Sequence, residues 1–70
     1  MQMNRLYLSE DVYSEESIKE TCAVYKEYAH IEMKRENLHI ELIFSRCKYD
    51  PDLTIKEFEN YLINVENSRK

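Results

Sequence analysis

His30-Ile31-Glu32-Met33-Lys34-Arg35-Glu36-Asn37-Leu38-His39-Ile40-Glu41-Leu42-Ile43-Phe44 is the stretch on which the fold turns. Ile31, Met33 and Arg35 alternate with His30, Glu32 and Lys34, and after Glu36-Asn37 the residues Leu38, Ile40, Leu42 and Phe44 alternate with His39, Glu41 and Ile43. A period of two is that of extended strands, and two such runs around a short polar break predict a β-hairpin. A two-residue loop at Glu36-Asn37 opposes Met33 to Ile40 and Ile31 to Leu42, so the apolar sets share a face, and a slip of one residue would separate them. Asn37 then takes the left-handed conformation usually given to glycine, which the chain lacks altogether. This register also opposes Glu32 to Glu41, a like-charge pair, so a longer even-numbered loop or splayed side chains stay open as alternatives.

On the N-terminal side, Asn4-Arg5-Leu6-Tyr7-Leu8 alternates as a short half-buried strand. Ser14 is placed to cap a helix, with Glu15 and Glu16 facing its positive end and Tyr13 set to pack on Ile18. The helix is predicted to run to about Tyr28, with Ile18, Cys22, Tyr25 and Ala29 as its apolar stripe and Val24 and Tyr28 widening it. On the C-terminal side, Asp50-Pro51-Asp52 holds the only proline and signals a turn. Thr54-Ile55-Lys56-Glu57 has the form of a capping box, with Leu53 placed to staple to Phe58. Ile55, Phe58, Leu62 and Val65 are the expected buried stripe of this second helix, flanked by Tyr61, and Asn64 to Lys70 is expected to fray into a polar tail whose Arg69 and Lys70 lie near the helix's negative end.

The predicted order is βαββα, an α+β fold in a single small domain spanning residues 1–70. A right-handed crossover through the first helix makes strands one and two run the same way, and the hairpin sets strand three antiparallel to both. The expected sheet is therefore three-stranded and antiparallel, ordered 1-3-2, with both helices on one face. The other face carries Arg5, Tyr7, His30, Glu32, Lys34, His39, Glu41 and Ile43, a polar surface fit for water.

Without glycine, no dinucleotide fingerprint, P-loop or nucleophile elbow can be written, which argues against an enzyme. A net charge of −4 with acidic residues spread throughout leaves no basic stripe for phosphates, so nucleic acid is a poor partner. No run approaches the length of a membrane span, and Met1-Gln2-Met3-Asn4-Arg5 leads into no apolar signal segment; the expectation is a cytoplasmic protein with no membrane partner. Cys22 and Cys47 fit that compartment as free thiols, a disulfide being the less favoured alternative.

His30, His39, Cys22 and Cys47 are metal-ligand types, but their spacing matches no zinc module, and solvated histidines with structural cysteines are the favoured reading. Glu32 and Glu41 on an open face have no water-excluding pocket to perturb them, so neither cofactor nor catalytic residue is expected. Tyr13, Tyr25, Tyr28 and Tyr61 sit where helix core margins explain them. What remains is interaction surface: the outer strands, residues 4–8 and 30–35, present unpaired backbone able to accept a strand, although Arg5, Lys34 and Arg35 also suit an edge kept solvated. The candidate partner-binding residues on this edge and face are His30, Glu32, Lys34, Arg35, His39, Glu41, Arg5 and Tyr7.

The short first strand, Val12-Tyr13-Ser14 opening a helix, Tyr28-Ala29-His30-Ile31-Glu32-Met33 leading into a hairpin, Phe58-Glu59-Asn60-Tyr61-Leu62-Ile63 in a closing helix and a basic end at Arg69 resemble the small His-Xaa-Ser system protein HxsD family over nearly the whole chain. Members of that family accompany radical S-adenosylmethionine enzymes that modify a ribosomally made peptide carrying His-Xaa-Ser repeats. The resemblance implies a non-catalytic accessory protein of peptide maturation that binds the precursor peptide, the radical enzyme or both, and it brings no catalytic residues. The chain has no His-Xaa-Ser triplet, so it does not look like the precursor, and two cysteines are too few to hold an iron–sulfur cluster. The alternative is a small self-associating structural or regulatory protein, antitoxin-like, that forms a homodimer through the open sheet face or edge.

Overall fold

The computed structural model describes residues 4–69; the readings that fall on Met1 to Met3 and on Lys70 lie outside them. The elements follow the order β1 (Asn4–Ser9), α1 (Glu15–Tyr25), β2 (His30–Glu36), β3 (His39–Ser45) and α2 (Pro51–Ser68). β3 is the central strand of a three-stranded sheet ordered β1-β3-β2, antiparallel to both neighbours. This is the α+β architecture expected from the alternation of periods.

The hairpin loop is Asn37-Leu38, one residue later than expected, with Glu36 opposite His39, Met33 opposite Leu42 and Ile31 opposite Phe44. Moving a two-residue loop by one position shifts the register by two, so every side chain keeps its face while its partner changes. The like-charge pair disappears: Glu32 now faces Ile43, and Lys34 faces Glu41. Asn37 takes the positive φ, 56°, at the first loop position.

Ser14 caps α1 as expected, its Oγ accepting from the Ser17 N–H at 3.2 Å. In a capping box the residue at Ser17's place would reach back to the cap's own N–H. A serine is too short for that, and the Ser14 N–H instead donates to Glu66 Oε1 of α2 at 2.8 Å. α1 ends at Tyr25, not Tyr28, because the Tyr28 and Ala29 N–H groups both turn back to the Tyr25 carbonyl, at 2.9 and 3.1 Å. Ala29 is thus buried from the closing turn rather than from the helix. The inner face of α1 is also more polar than its apolar stripe suggested: Ser17 and Thr21 are fully buried, with Thr21 Oγ1 donating to the Ser17 carbonyl at 2.8 Å.

α2 begins a turn earlier than the capping-box reading placed it. Asp50 is the cap, its carboxylate accepting from the Leu53 N–H at 3.1 Å, and Pro51 occupies the first turn, where its missing N–H is harmless and its fixed φ suits a helix. Thr54 is therefore an interior residue whose hydroxyl donates back to the Asp50 carbonyl, and Leu53 is exposed rather than stapled to Phe58. The expected frayed tail is helical through Ser68, and Arg69 reaches across to α1 with Nη2 2.9 Å from Glu20 and Nη1 3.4 Å from Glu16. Leu8, Ile40, Leu42 and Phe44 from the sheet meet Ile18, Ala29, Phe58 and Leu62 in one core, so both helices cover the same face. On the other face Ile43 is buried as well, between Arg5 and Glu32 on the flanking strands.

Asp50→Ala is expected to destabilise the domain by about 1 kcal/mol in denaturant unfolding, and Glu57→Ala to stay within about 0.5 kcal/mol; the reverse order would restore Thr54 as the cap. Removing the part-buried carboxylate by Glu66→Ala should lower stability by about 1–2 kcal/mol, with Glu66→Gln retaining most of it because an amide oxygen can still accept from Ser14.

Candidate functional site

The sheet places the anticipated residues on two sides. Arg5 and Tyr7 of β1, His39 and Glu41 of β3, and His30, Glu32 and Lys34 of β2 share the open face. Arg5 and Glu41 already form an ion pair, Nη1 to Oε2 3.2 Å, and His30 Nε2 stands 3.7 Å from Glu32 Oε1. The Tyr7 hydroxyl and the Glu41 carboxylate push the Arg5 guanidinium up from its ordinary value. Tyr7, Lys34, Arg35, His39 and Glu41 border a depression of about 460 Å³ at the hairpin end. His30 and Glu32 lie at the opposite end of β2 from it.

Arg35 departs from the expected group. It shares the helix-facing side of β2 with Ile31 and Met33, and its Nε stands 2.7 Å from Glu10 Oε1, its Nη2 3.1 Å from Glu10 Oε2 and its Nη1 2.8 Å from Glu15 Oε1. The Nε contact lies off the hydrogen-bond line, so Glu10 Oε1 is held there by charge. Lys19, 3.0 Å away, and then Arg35 hold the Glu15 carboxyl below the usual range. Arg35 thereby ties β2 to the start of α1 instead of guarding the sheet edge.

A second surface was missed by the sequence reading. The end of α1, the loop before α2 and the first turns of α2 enclose a groove of about 510 Å³ lined by Val24, Tyr25, Tyr28, Tyr49, Leu53, Thr54, Glu57 and Tyr61. Its geometry follows from the core. Tyr25 leans on the buried Phe58 ring, centroids 5.5 Å apart and planes at 63°, and meets Tyr28 and Tyr61 edge-on at 5.8 and 6.0 Å. The Lys48 N–H donates to the Tyr28 carbonyl at 2.7 Å, which brings Tyr49 within 6.2 Å of Tyr28. Burial, followed by the Glu57 carboxylate, raises the Tyr25 hydroxyl, so the ring keeps its proton. Tyr28, Tyr49 and Tyr61 remain 39%, 59% and 38% exposed, more than core margin explains. The signal available in the sequence was an excess: these tyrosines with Val24 and Leu53 outnumber what one core-facing stripe per helix absorbs.

Cys22 and Cys47 are free thiols, each half-buried. Burial pushes the Cys22 thiol up to about 11, and Cys47 is raised by burial and by Asp50. Among the described residues no group of three or more His, Cys, Asp or Glu could hold a metal ion, and no helix is long and apolar enough to cross a membrane. No family model, curated protein or solved structure matches the chain.

The Cys22 shift has a testable sign. Its folded value, about 11, exceeds the ordinary 9.0, so the stabilising contribution of the protonated thiol is complete below pH 9 and is lost as pH rises toward 11. The unfolding midpoint should fall over that window, and Cys22→Ser should flatten the decline; an unchanged slope in the variant would place the titration elsewhere.

Proposed function

We propose that this protein is a non-catalytic accessory module of a ribosomal-peptide maturation system, acting in the cytoplasm and binding the precursor peptide, its radical S-adenosylmethionine enzyme or both. The tyrosine groove between α1 and α2 is the observation that carries the reading. Ring faces are electron-rich and attract cations and flat cationic groups, and Glu57 is the charged residue lining the groove. That chemistry suits an extended peptide whose histidine, lysine or arginine side chains lie against tyrosine. The open face offers less to a peptide: its Arg5 and Glu41 already neutralise one another, and the depression that Glu41 borders presents one tyrosine, Tyr7, where the groove presents four. With both thiols pushed up, neither cysteine is a ready nucleophile, which supports a binding role over a catalytic one. The resemblance to the His-Xaa-Ser system protein HxsD family supplies the class of partner.

The self-associating alternative is favoured by a separate feature, the free outer edge of β2 with its particular order of charges. It concerns a different surface from the groove.

Titration of the isotope-labelled protein with a synthetic peptide of consecutive His-Ala-Ser repeats should move the amide signals of Tyr25, Tyr28, Tyr49, Leu53 and Tyr61. Tyr28→Ala and Tyr49→Ala, both at exposed positions, should each weaken the interaction by about tenfold, as loss of an aromatic anchor does. Shifts absent from all five positions would remove peptide capture from the reading and leave the maturase as partner.

A further inference from the structure

We infer that the outer edge of β2 pairs with β2 of a second copy of this chain, antiparallel and centred on Met33, joining two three-stranded sheets into one of six strands. Among the described residues nothing pairs with that edge. Two identical strands that meet antiparallel at their edges are related by a two-fold axis perpendicular to the sheet. That axis keeps each side chain on its own face, so opposed residues share parity and only a few registers exist.

Those registers differ sharply in charge. Centred on Met33, Glu32 stands opposite Lys34 of the second copy and His30 opposite its Glu36, so both pairs on the open face combine unlike groups, each occurring twice. Centred on Glu32, the register opposes glutamate to glutamate and His30 to Lys34. Centred on Lys34, it opposes lysine to lysine and Glu32 to Glu36. Like charges directly opposite one another destabilise a strand pair and unlike charges stabilise it, so the registers centred on Glu32 and Lys34 are rejected, while those centred on Ile31 and Arg35 oppose His30 to Glu32 or Lys34 to Glu36 but overlap far less of the strand, which leaves the Met33 register favoured.

The helix-facing side agrees. Met33 meets its own copy, and Ile31 meets the aliphatic stem of Arg35, whose guanidinium is held by Glu10 and Glu15 of its own chain and so does not repel the edge. Ile31 and Met33 are only half-buried in the single chain and gain cover in the pair. The backbone permits the register whichever set of N–H groups points outward, because a two-fold antiparallel pair closes on either a hydrogen-bonded or a non-hydrogen-bonded pair. The other edge carries no such code: Asn4-Arg5-Leu6-Tyr7-Leu8-Ser9 contains one charged residue and cannot match it against an opposite charge in any two-fold register. This inference goes beyond the peptide-binding reading and does not depend on it.

Sedimentation equilibrium at a few hundred micromolar tests the pairing. The wild-type chain should sediment at twice its 8.6 kDa. Glu32→Lys and Lys34→Glu should each weaken self-association by about tenfold or more, since each turns both unlike 32–34 pairs into like ones. An equimolar mixture of the two variants should restore the doubled mass, because lysines at 32 and 34 of one chain then face glutamates at 34 and 32 of the other. Circular dichroism of each variant separates loss of pairing from loss of fold. A wild-type chain that stays at 8.6 kDa, folded variants that remain dimeric alone, or a mixture that fails to recover the dimer would each overturn the proposal. A dimer that ignores the His-Ala-Ser peptide would count against the groove alone.

Discussion

The contact between Phe44 and Phe58 is the joint on which the rest of the molecule depends. Both rings are fully buried, with centroids 5.2 Å apart and planes at 88°, the edge-to-face arrangement that ring quadrupoles favour. Phe44 belongs to the central strand and Phe58 to the longer helix, and Tyr25 brings α1 onto the same Phe58 ring. Sheet and both helices therefore meet at one aromatic centre. A chain this short buries only about 60% of its unfolded surface, so emptying that centre, at about 3–5 kcal/mol, would remove a large part of its stability. The groove inherits its rigidity from the same place: Tyr25 cannot move away from Tyr28 and Tyr61 without leaving Phe58. The exposed tyrosines are the outward end of a ring series rooted in the core.

Lack of glycine constrains the backbone at each point where the chain reverses. Asn37 and Arg46 carry the positive φ values, and α1 closes through a right-handed turn at Lys26 rather than a left-handed cap. Helix starts are secured by side chains, Asp50 for α2 locally and Ser14 for α1 with Glu66 supplied from the other helix. The two helices run antiparallel, so one end of their interface holds Ser14 against Glu66 and Arg69 against Glu16 and Glu20, while the other holds Tyr25 against Tyr61. The exposed Arg69 pairs add little by themselves, as surface ion pairs generally do. The part-buried Glu66 bond differs, because it satisfies a helix-end N–H that no residue of α1 can reach.

Element types and topology were legible because period, caps and connection lengths all agree on them. The hairpin register was legible only to within two residues: Ile31 and Met33 suit Leu42 and Phe44 as well as Ile40 and Leu42, and the decision came from Asn37 and from the charges. Glu32 opposite Glu41 was the warning, and the loop at Asn37-Leu38 removes it. The start of α2 was misread because Thr54-Ile55-Lys56-Glu57 is a good local cap, yet Asp50-Pro51 starts the helix one turn earlier and turns Thr54 inward. Ser17 and Thr21 escaped notice as core residues because they are polar, and their burial is tolerable because the Thr21 hydroxyl donates back to the Ser17 carbonyl and the Ser17 hydroxyl accepts from Ser14 Oγ. The groove was only half legible for a different reason: the excess of tyrosines hinted at it, but Tyr49 joins it through a loop hydrogen bond that no periodicity records.

Arg35 shows why the two surfaces can be kept apart. Read as an edge residue, it would repel any strand approaching β2; folded back onto Glu10 and Glu15, it leaves the edge to the alternating charges of Glu32, Lys34 and Glu36, with His30 beside them. Pairing at that edge with a two-fold perpendicular to the sheet keeps all four helices on one face, so both tyrosine grooves stay open and point to the same side. A partner with repeated binding segments would then engage two grooves at once, the second capture occurring at the high effective concentration set by the chain between the segments. Self-association at the edge and recognition in the groove are on this geometry cumulative, because neither surface uses a residue of the other.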